Sequence, residues 1–527
     1  MHAFSLWPLV AFVQYRRRVG FDHAAMNTSP CNPSSSQQPT PPALSTQQPP
    51  GPRARFWGLP QWLAQRRDLL GSVRTLWQAH GDTTLMRIGR ERIVDVFAPD
   101  RVRALLVEQS ANLVRWEHGA RVMRSVHGDS AAGSEGEAWQ RHRTLLQTAF
   151  TPQRLAGYTQ GLCEAADAGL ATALRPHSLS GTVDVKVLCE RIALQAMLRS
   201  LFGADAIESG STGANANANA NANANANANA PGDARDAAQL AGLTAAVQTL
   251  SRIAMRELML PYFLPDHWPL PGKLAKRRAL AVLGAEVARH TAAPALAACP
   301  PEAPHILAQL LRHRDAGTGQ ALSPHEITSH CLSLLMAGYE TTATALSWWA
   351  LSMAQNPPAA ARAAAEVDRV LGPRAPCVDD VPHLPWMMAT LKECLRLHPP
   401  LPLLMARRTT ADITLAGWTL PRGALLRVTP WLLQRDERSF PQPESFQPER
   451  FMPPASSAPH GAWMPFGAGP RACVGRQFAR LELALVATRW LQRFTLATVP
   501  GSAAVAPVLE LTLRSGRDLH LVLQRRP

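Results

Sequence analysis

No two of the eight cysteines (Cys31, Cys163, Cys189, Cys299, Cys331, Cys377, Cys394 and Cys473) stand in a CxxC spacing. That absence removes the common zinc pattern and the small disulfide scaffold, and it suits a reducing compartment. No basic run reaches five residues, although 54 Lys and Arg face 39 Asp and Glu for a formal charge of +15. A nucleic-acid arm is therefore not expected, and the surplus charge suits an acidic protein partner. No apolar run reaches the roughly 20 residues of a membrane span. The N-terminal apolar stretch, residues 4–13, is broken by Pro8 and followed by Arg16, Arg17 and Arg18. A secretory signal places its positive charge first, so the segment reads as a leader. A weak interfacial anchor stays open, and the expected location is the cytoplasm.

What the chain does have is length and apolar mass. Of 527 residues, 46% are apolar, enough for a core that encloses a cofactor. Residues 27–53 are rich in Pro, Ser and Gln, so residues 1–48 read as a disordered leader. Residues 214–230 alternate Ala and Asn. Period two without an apolar face, in a residue depleted from strands, reads as a surface insertion. The remainder, residues 49–527, reads as one catalytic domain, mainly α with small β-sheets. Strand and turn segments are expected at residues 84–98 and 412–428.

One helix can be bounded by its signals. Ser323 is an N-cap, Pro324 suits the first helical position and Glu326 completes a capping box. The pattern runs to about Gln355 and stops before Pro357 and Pro358. Glu340, Thr341 and Thr342 in its middle exclude a membrane span. Gly338 costs about 1 kcal/mol against alanine and so needs a reason. The Thr341 hydroxyl can bond the Ala337 carbonyl and bend the helix, opening a groove.

The strongest signal is Phe466-Gly-Ala-Gly469-Pro-Arg471-Ala-Cys473-Val-Gly475. A metal-bound thiolate needs backbone N–H donors, and glycines let a loop turn its amides inward. Phe466 can shield the sulfur, and Arg471 can neutralise a carboxylate. A helix expected over residues 477–491 places Cys473 before a positive helix end. A buried structural cysteine is the plain alternative. Five specified positions at fixed spacing arise by chance on the order of 10⁻⁶ per window.

This segment resembles the haem-binding signature FxxGxRxCxG of the cytochrome P-450 family. The resemblance implies that family's fold, with haem b between the long central helix and the cysteine loop, and Cys473 as axial ligand of the iron. Residues 337–342 are similar to the family's oxygen-activation motif AGx(D/E)T(T/S). It implies Thr341 as the hydrogen-bonding alcohol and Glu340 as the acid of a proton relay. Glu393 and Arg396 form an ExxR pair, and Arg450 lies in a PERF segment. Together they imply a buried network that supports the loop. Trp139 and Arg143 form a WxxxR pair that the resemblance assigns to the haem propionates. It assigns Arg407 likewise, with the adjacent Arg408 as the alternative. In that family the haem-side contacts include Phe466, Arg471 and Gly475.

The expected function is insertion of one oxygen atom from O2 into a lipophilic organic substrate. No redox module fits in the 54 residues after Cys473. Electrons are therefore expected from a separate ferredoxin or flavodoxin with its reductase, docked on a basic face near Arg471 and Arg476. Candidate substrate walls are residues 115–130, 336–344 and 401–405. A peroxygenase or isomerase on the same fold competes with this reading. A non-catalytic helical binding protein stands further off.

Overall fold

The computed structural model describes residues 47–175, 177–203, 231–292, 303–315, 319–453 and 461–526. The expected leader up to residue 46, the Ala-Asn insertion, Cys31 and Cys299 lie outside the described residues. The described residues all belong to one unit, Ser45–Pro527.

The framework is helical, as the sequence leads one to expect. Its main members are α1 (Leu59–Arg67), α2 (Glu117–His127), α3 (Gly136–Ala149), α4 (Pro152–Ala171), α5 (Val185–Phe202), α6 (Pro231–Leu258), α7 (Pro271–Thr291), α8 (Pro324–Gln355), α9 (Pro385–Leu397) and α10 (Arg476–Arg493). None of the described helices is long and apolar enough to cross a membrane.

The strands are short. β1 (Thr83–Ile88), β2 (Glu91–Val96), β3 (Leu113–Arg115), β5 (Arg407–Thr409) and β8 (Leu425–Val428) form one sheet in the order β1-β2-β8-β5-β3. Only β2–β8 runs parallel. β4 (Ser180–Asp184), β12 (His520–Arg525) and β9 (Phe494–Thr498) form a second sheet with β12 central. Two hairpins complete the set: β6 (Ile413–Leu415) with β7 (Trp418–Leu420), and β10 (Pro507–Leu509) with β11 (Leu513–Ser515).

α8 starts and stops where its signals place it. The Ser323 hydroxyl accepts from the Glu326 N–H at 3.2 Å, and the Glu326 carboxylate accepts from the Ser323 N–H at 2.9 Å. Its 32 residues span about 48 Å. The half from Ile327 to Ala343 packs in one apolar cluster with α4, α5 and α6. The half from Ala345 to Ala354 packs in another, where Trp348, Trp349 and Trp490 are buried.

The reason for Gly338 is packing. A Cβ there would lie 2.4 Å from the Met197 sulfur of α5. The helix runs unbroken through this glycine. The expected Thr341–Ala337 hydrogen bond is present at 2.7 Å, without interrupting the helix.

Candidate active site

The cysteine loop folds on its own backbone. Gly467 and Gly469 adopt φ of +70° and +72°. The Cys473 N–H donates to the Phe466 carbonyl at 2.9 Å, and the Ala472 N–H to the Gly469 carbonyl at 3.0 Å. Gly469 has no alternative, because a Cβ would meet the Leu106 carbonyl oxygen at 1.9 Å. α10 follows with Gly475 as its N-cap. The Cys473 side chain is accessible by area although protein surrounds it on nearly every side. Its free surface therefore faces a hollow inside the molecule. Burial pushes the thiol up from its ordinary value, while the Gly475 N–H, Arg143 and Arg476 pull it down.

Cations collect around this loop. Arg143 on α3 donates to the Ala472 carbonyl at 2.5 Å. Arg471 stacks over the Trp139 ring, 4.2 Å from its centroid, and pairs with Glu135. Arg115 of β3, a residue the sequence does not single out, meets the same Glu135 at 3.3 Å. Burial and then the charges of Arg115 and Arg471 push the Arg407 guanidinium down to about 9. Burial and then Arg471 push Arg115 down to about 10. Arg407 donates to the Met405 carbonyl at 2.8 Å. Arg408 turns the other way, to Glu91 at 3.0 Å and Glu117 at 2.8 Å. Of the two candidates, Arg407 is thus the one facing the hollow's cations.

This donor set fits a dicarboxylate macrocycle. Arg115, Arg407 and Arg471 gather around Glu135, and Arg143 lies beside Cys473. Arg143 Nε and Arg471 Nη1 are buried without a hydrogen-bond partner. Two propionates and a thiolate, together with Glu135, would set four negative charges against the four cations.

α8 has a matching window. From Ser329 to Ala354, every residue is buried except Ala337, Gly338 and Thr341. Ala337 and Thr341 are one turn apart and share a face. The Glu340 carboxylate is turned elsewhere. It accepts from Ser251 of α6, from the Thr512 hydroxyl at 2.6 Å, and pairs with Arg514 of β11 at 2.8 Å. The structure thus places Glu340 beside Thr341 in the chain but gives it partners on other elements. Neither Thr512 nor Arg514 carries a signal in the sequence.

Glu393, Arg396 and Arg450 lie together beneath the loop. Arg396 grips both oxygens of Glu393 at 2.7 and 2.8 Å, and both side chains are fully buried. Arg450 approaches Glu393 at 3.4 Å and donates to the Pro441 and Gln442 carbonyls. The sequence does not single out Gln434. Its amide donates to the Leu395 and Arg396 carbonyls at 3.0 and 2.9 Å, and its oxygen accepts from the Met464 N–H at 2.9 Å. It joins the end of α9 to the start of the cysteine loop.

A sulfur open to an internal hollow, and a surplus of guanidinium groups beside it, together define a haem-thiolate site. The family model described as Cytochrome P450 matches residues 49–515, and the chain belongs to that family. Cyclooctatin synthase of Streptomyces melanosporofaciens is 32% identical over 451 residues, covering 83% of this chain and 88% of the relative. Cyclooctat-9-en-7-ol 5-monooxygenase of the same organism is 28% identical, covering 82% and 89%. Among solved structures, the retinoic acid bound cyanobacterial CYP120A1 superposes with a TM-score of 0.73 at 24% identity. That match covers 92% of this chain and 100% of the other. The protein is a haem-dependent cytochrome P450 monooxygenase, using O2, an organic substrate and a redox partner.

Proposed function

We propose that residues 49–527 form one catalytic domain in which Cys473 is the axial haem ligand, and that it oxygenates a lipophilic small molecule. The observation that carries this is the accessible Cys473 sulfur inside a cation-rich hollow. Bound haem supplies O2 activation, and a thiolate ligand favours O–O cleavage. The chain's own residues do the rest. Arg143, Arg407 and Arg471 would hold the propionates, and Trp139 supports Arg471 by stacking. Phe466 and the Gly475 N–H steady the sulfur. Glu393, Arg396 and Arg450 fix the loop in place.

Thr341 parks its hydroxyl hydrogen on the Ala337 carbonyl, so its oxygen stays free to accept a hydrogen bond on the window face. Glu340 borders a narrow cleft lined also by Lys186, Glu190, Ser347 and Arg514. To hand a proton on to Thr341, Glu340 would leave Arg514 and turn toward the window face.

Leu404 and Met405 supply apolar wall. Leu404 lies 3.6 Å from the site of a Cβ on Gly467, and Met405 lies 3.6 Å from one on Gly119. Leu401 is 40% exposed and does not belong to that wall. One relative is named for cyclooctat-9-en-7-ol, and the structural neighbour holds retinoic acid. Both ligands are largely hydrocarbon, in agreement with an apolar pocket.

For electron supply we favour a separate acidic ferredoxin or flavodoxin with its reductase. Arg471 points inward to Glu135 and Trp139, so the docking face centres instead on Arg476, Arg480 and Lys392. Burial and then Arg476 lower the Arg480 guanidinium, and burial and then Arg480 lower the Lys392 amine. A row of mutually repelling cations attracts an acidic surface. We place the protein in the cytoplasm.

The test is spectroscopic. Haem-replete protein should give the red-shifted ferrous carbonyl band, and Cys473→Ala should abolish it. A band that survives the substitution overturns the assignment. A ligand screen on the Soret band then identifies the substrate class. A peroxygenase would be supported by peroxide-driven turnover faster than reductase-driven turnover, which the Glu340–Thr341 pair argues against.

A further inference from the structure

Glu135 stands where a side-chain oxygen ordinarily caps a helix. It is the N-cap residue of α3, and its backbone carbonyl accepts from the Trp139 N–H at 3.3 Å. A polar side chain at that position usually accepts from the amides of its own first turn. Glu135 makes no such bond. Its carboxylate is turned away from α3, onto two arginines of other elements. Oε1 accepts from the Arg115 backbone N–H at 3.1 Å and from its guanidinium at 3.3 Å. Oε2 accepts from Arg471 of the cysteine loop.

The arrangement is held at both ends. Arg115 also donates to the Ser134 carbonyl at 2.6 Å, which ties β3 to the residue before Glu135. Arg471 lies over the Trp139 ring. Glu135, Trp139 and Arg143 follow one another at intervals of four residues. One side of α3 therefore presents a carboxylate, a ring and a guanidinium to the cysteine loop.

This anion acts in two opposite senses. Without it, Arg115, Arg407 and Arg471 would crowd together with no counter-charge among them. Burial, Arg115 and Arg471 all push the Arg407 guanidinium down, and Glu135 works against them. In the loaded site the same carboxylate competes with the propionates for Arg115 and Arg471. It also adds a negative charge to the surroundings of the haem. Reduction brings an electron into those surroundings, so a fixed negative charge there favours the ferric form.

Resting on the haem reading above, we propose that Glu135 is a positioning residue that keeps Arg115 and Arg471 in place for the propionates and, by its own charge, lowers the reduction potential of the bound haem. The sequence carries a trace of it, a carboxylate one turn ahead of the Trp139–Arg143 pair.

The test is a potentiometric titration of the haem-loaded full chain, followed at the Soret band. Glu135→Gln removes the charge and keeps the shape. At the parent's midpoint potential its ferrous-to-ferric ratio should rise by roughly three- to tenfold. Glu135→Asp keeps the charge and should stay close to the parent. Glu137→Gln makes the same change in net charge at an exposed position of α3, and should leave the ratio unmoved. If the glutamine variant does not retain haem, Glu135→Ser supplies a neutral residue that can cap α3 by itself. An unmoved or lowered potential in the neutral variant overturns the proposal, and so does an equal rise in Glu137→Gln. Loss of haem from both neutral variants overturns it too, in favour of a purely structural staple. A parent chain without the ferrous carbonyl band overturns the haem reading and this inference with it, whereas a parent with that band and an unmoved Glu135→Gln potential overturns the inference alone.

Discussion

Arg514, on the C-terminal hairpin, meets Glu340 in the middle of α8 at 2.8 Å. Both side chains are nearly buried, so the pair holds a charge where an unpaired one would be costly. Replacing Arg514 by Leu should lower the unfolding free energy by about 3–5 kcal/mol in urea titrations. Arg514→Lys should recover part of that loss. Unchanged urea midpoints in Arg514→Leu would show that Ser251 and Thr512 suffice to hold the carboxylate.

Thr341→Val keeps the shape of the side chain and removes its hydroxyl. Product formed per electron pair should fall by roughly 100-fold, the lower end of what a lost proton-transfer group costs. Electron consumption and the Soret response to substrate should persist. Undiminished product yield would remove Thr341 from the relay.

Glu482 of α10 is fully buried and accepts from the Thr342 hydroxyl at 3.1 Å. Burial pushes its carboxyl up to about 8. Between the unfolded value near 4.5 and that value, the folded chain binds the proton that the unfolded chain has released. Stability should therefore fall as pH rises through this window, by up to about 1.4 kcal/mol per pH unit. Glu482→Gln should flatten the profile, and stability measured from pH 5 to 8.5 checks it.

His398 lies flat against Trp348, with centroids 4.1 Å apart and planes at 6°. Burial, then Arg435 and Arg396, push its imidazole down to about 3. Below about pH 6.5 the unfolded chain takes up a proton that the folded chain refuses. Its contribution to stability should be lost as pH falls from 6.5 towards 3. His398→Phe keeps the stacking and should reduce the acid sensitivity, read from melting temperatures between pH 4 and 7.

Arg407 separates the empty and loaded proteins. Without propionates it is buried beside Arg115 and Arg471, an unfavourable arrangement. Arg407→Leu should leave the haem-free protein as stable as the parent or more so. It should also speed haem loss to an acceptor apoprotein by about tenfold, a difference near 1.4 kcal/mol. Slower or unchanged haem transfer would count against a propionate role.

The parts legible in the sequence are those fixed by neighbours in the chain. Ser323, Pro324 and Glu326 bound α8 because a capping box closes within one turn. The spacing of Gly467, Gly469 and Cys473 is readable because it records a local backbone path. Arg115, Glu135, Gln434 and Arg514 escaped notice because their work lies in contacts between distant segments. Arg115 and Glu135 are 20 residues apart, and Gln434 reaches Met464 across 30. Glu482 offered one clue, a carboxylate between Leu481 and Leu483 in an apolar run. Gly338 was readable as a residue with a reason, but the reason, Met197, sits on another helix. The signature assigns Arg471 to the haem side, and the fold shows that it does not also share a docking face with Arg476.

Ala337 presents only a methyl group at the opening in α8. In the haem reading proposed above, its single methyl would set the headroom over the ring. A change to valine or leucine there would lower the ceiling without disturbing a charge, a cap or a hydrogen bond. The range of molecules this enzyme admits can therefore drift through one codon while the machinery around it stays intact.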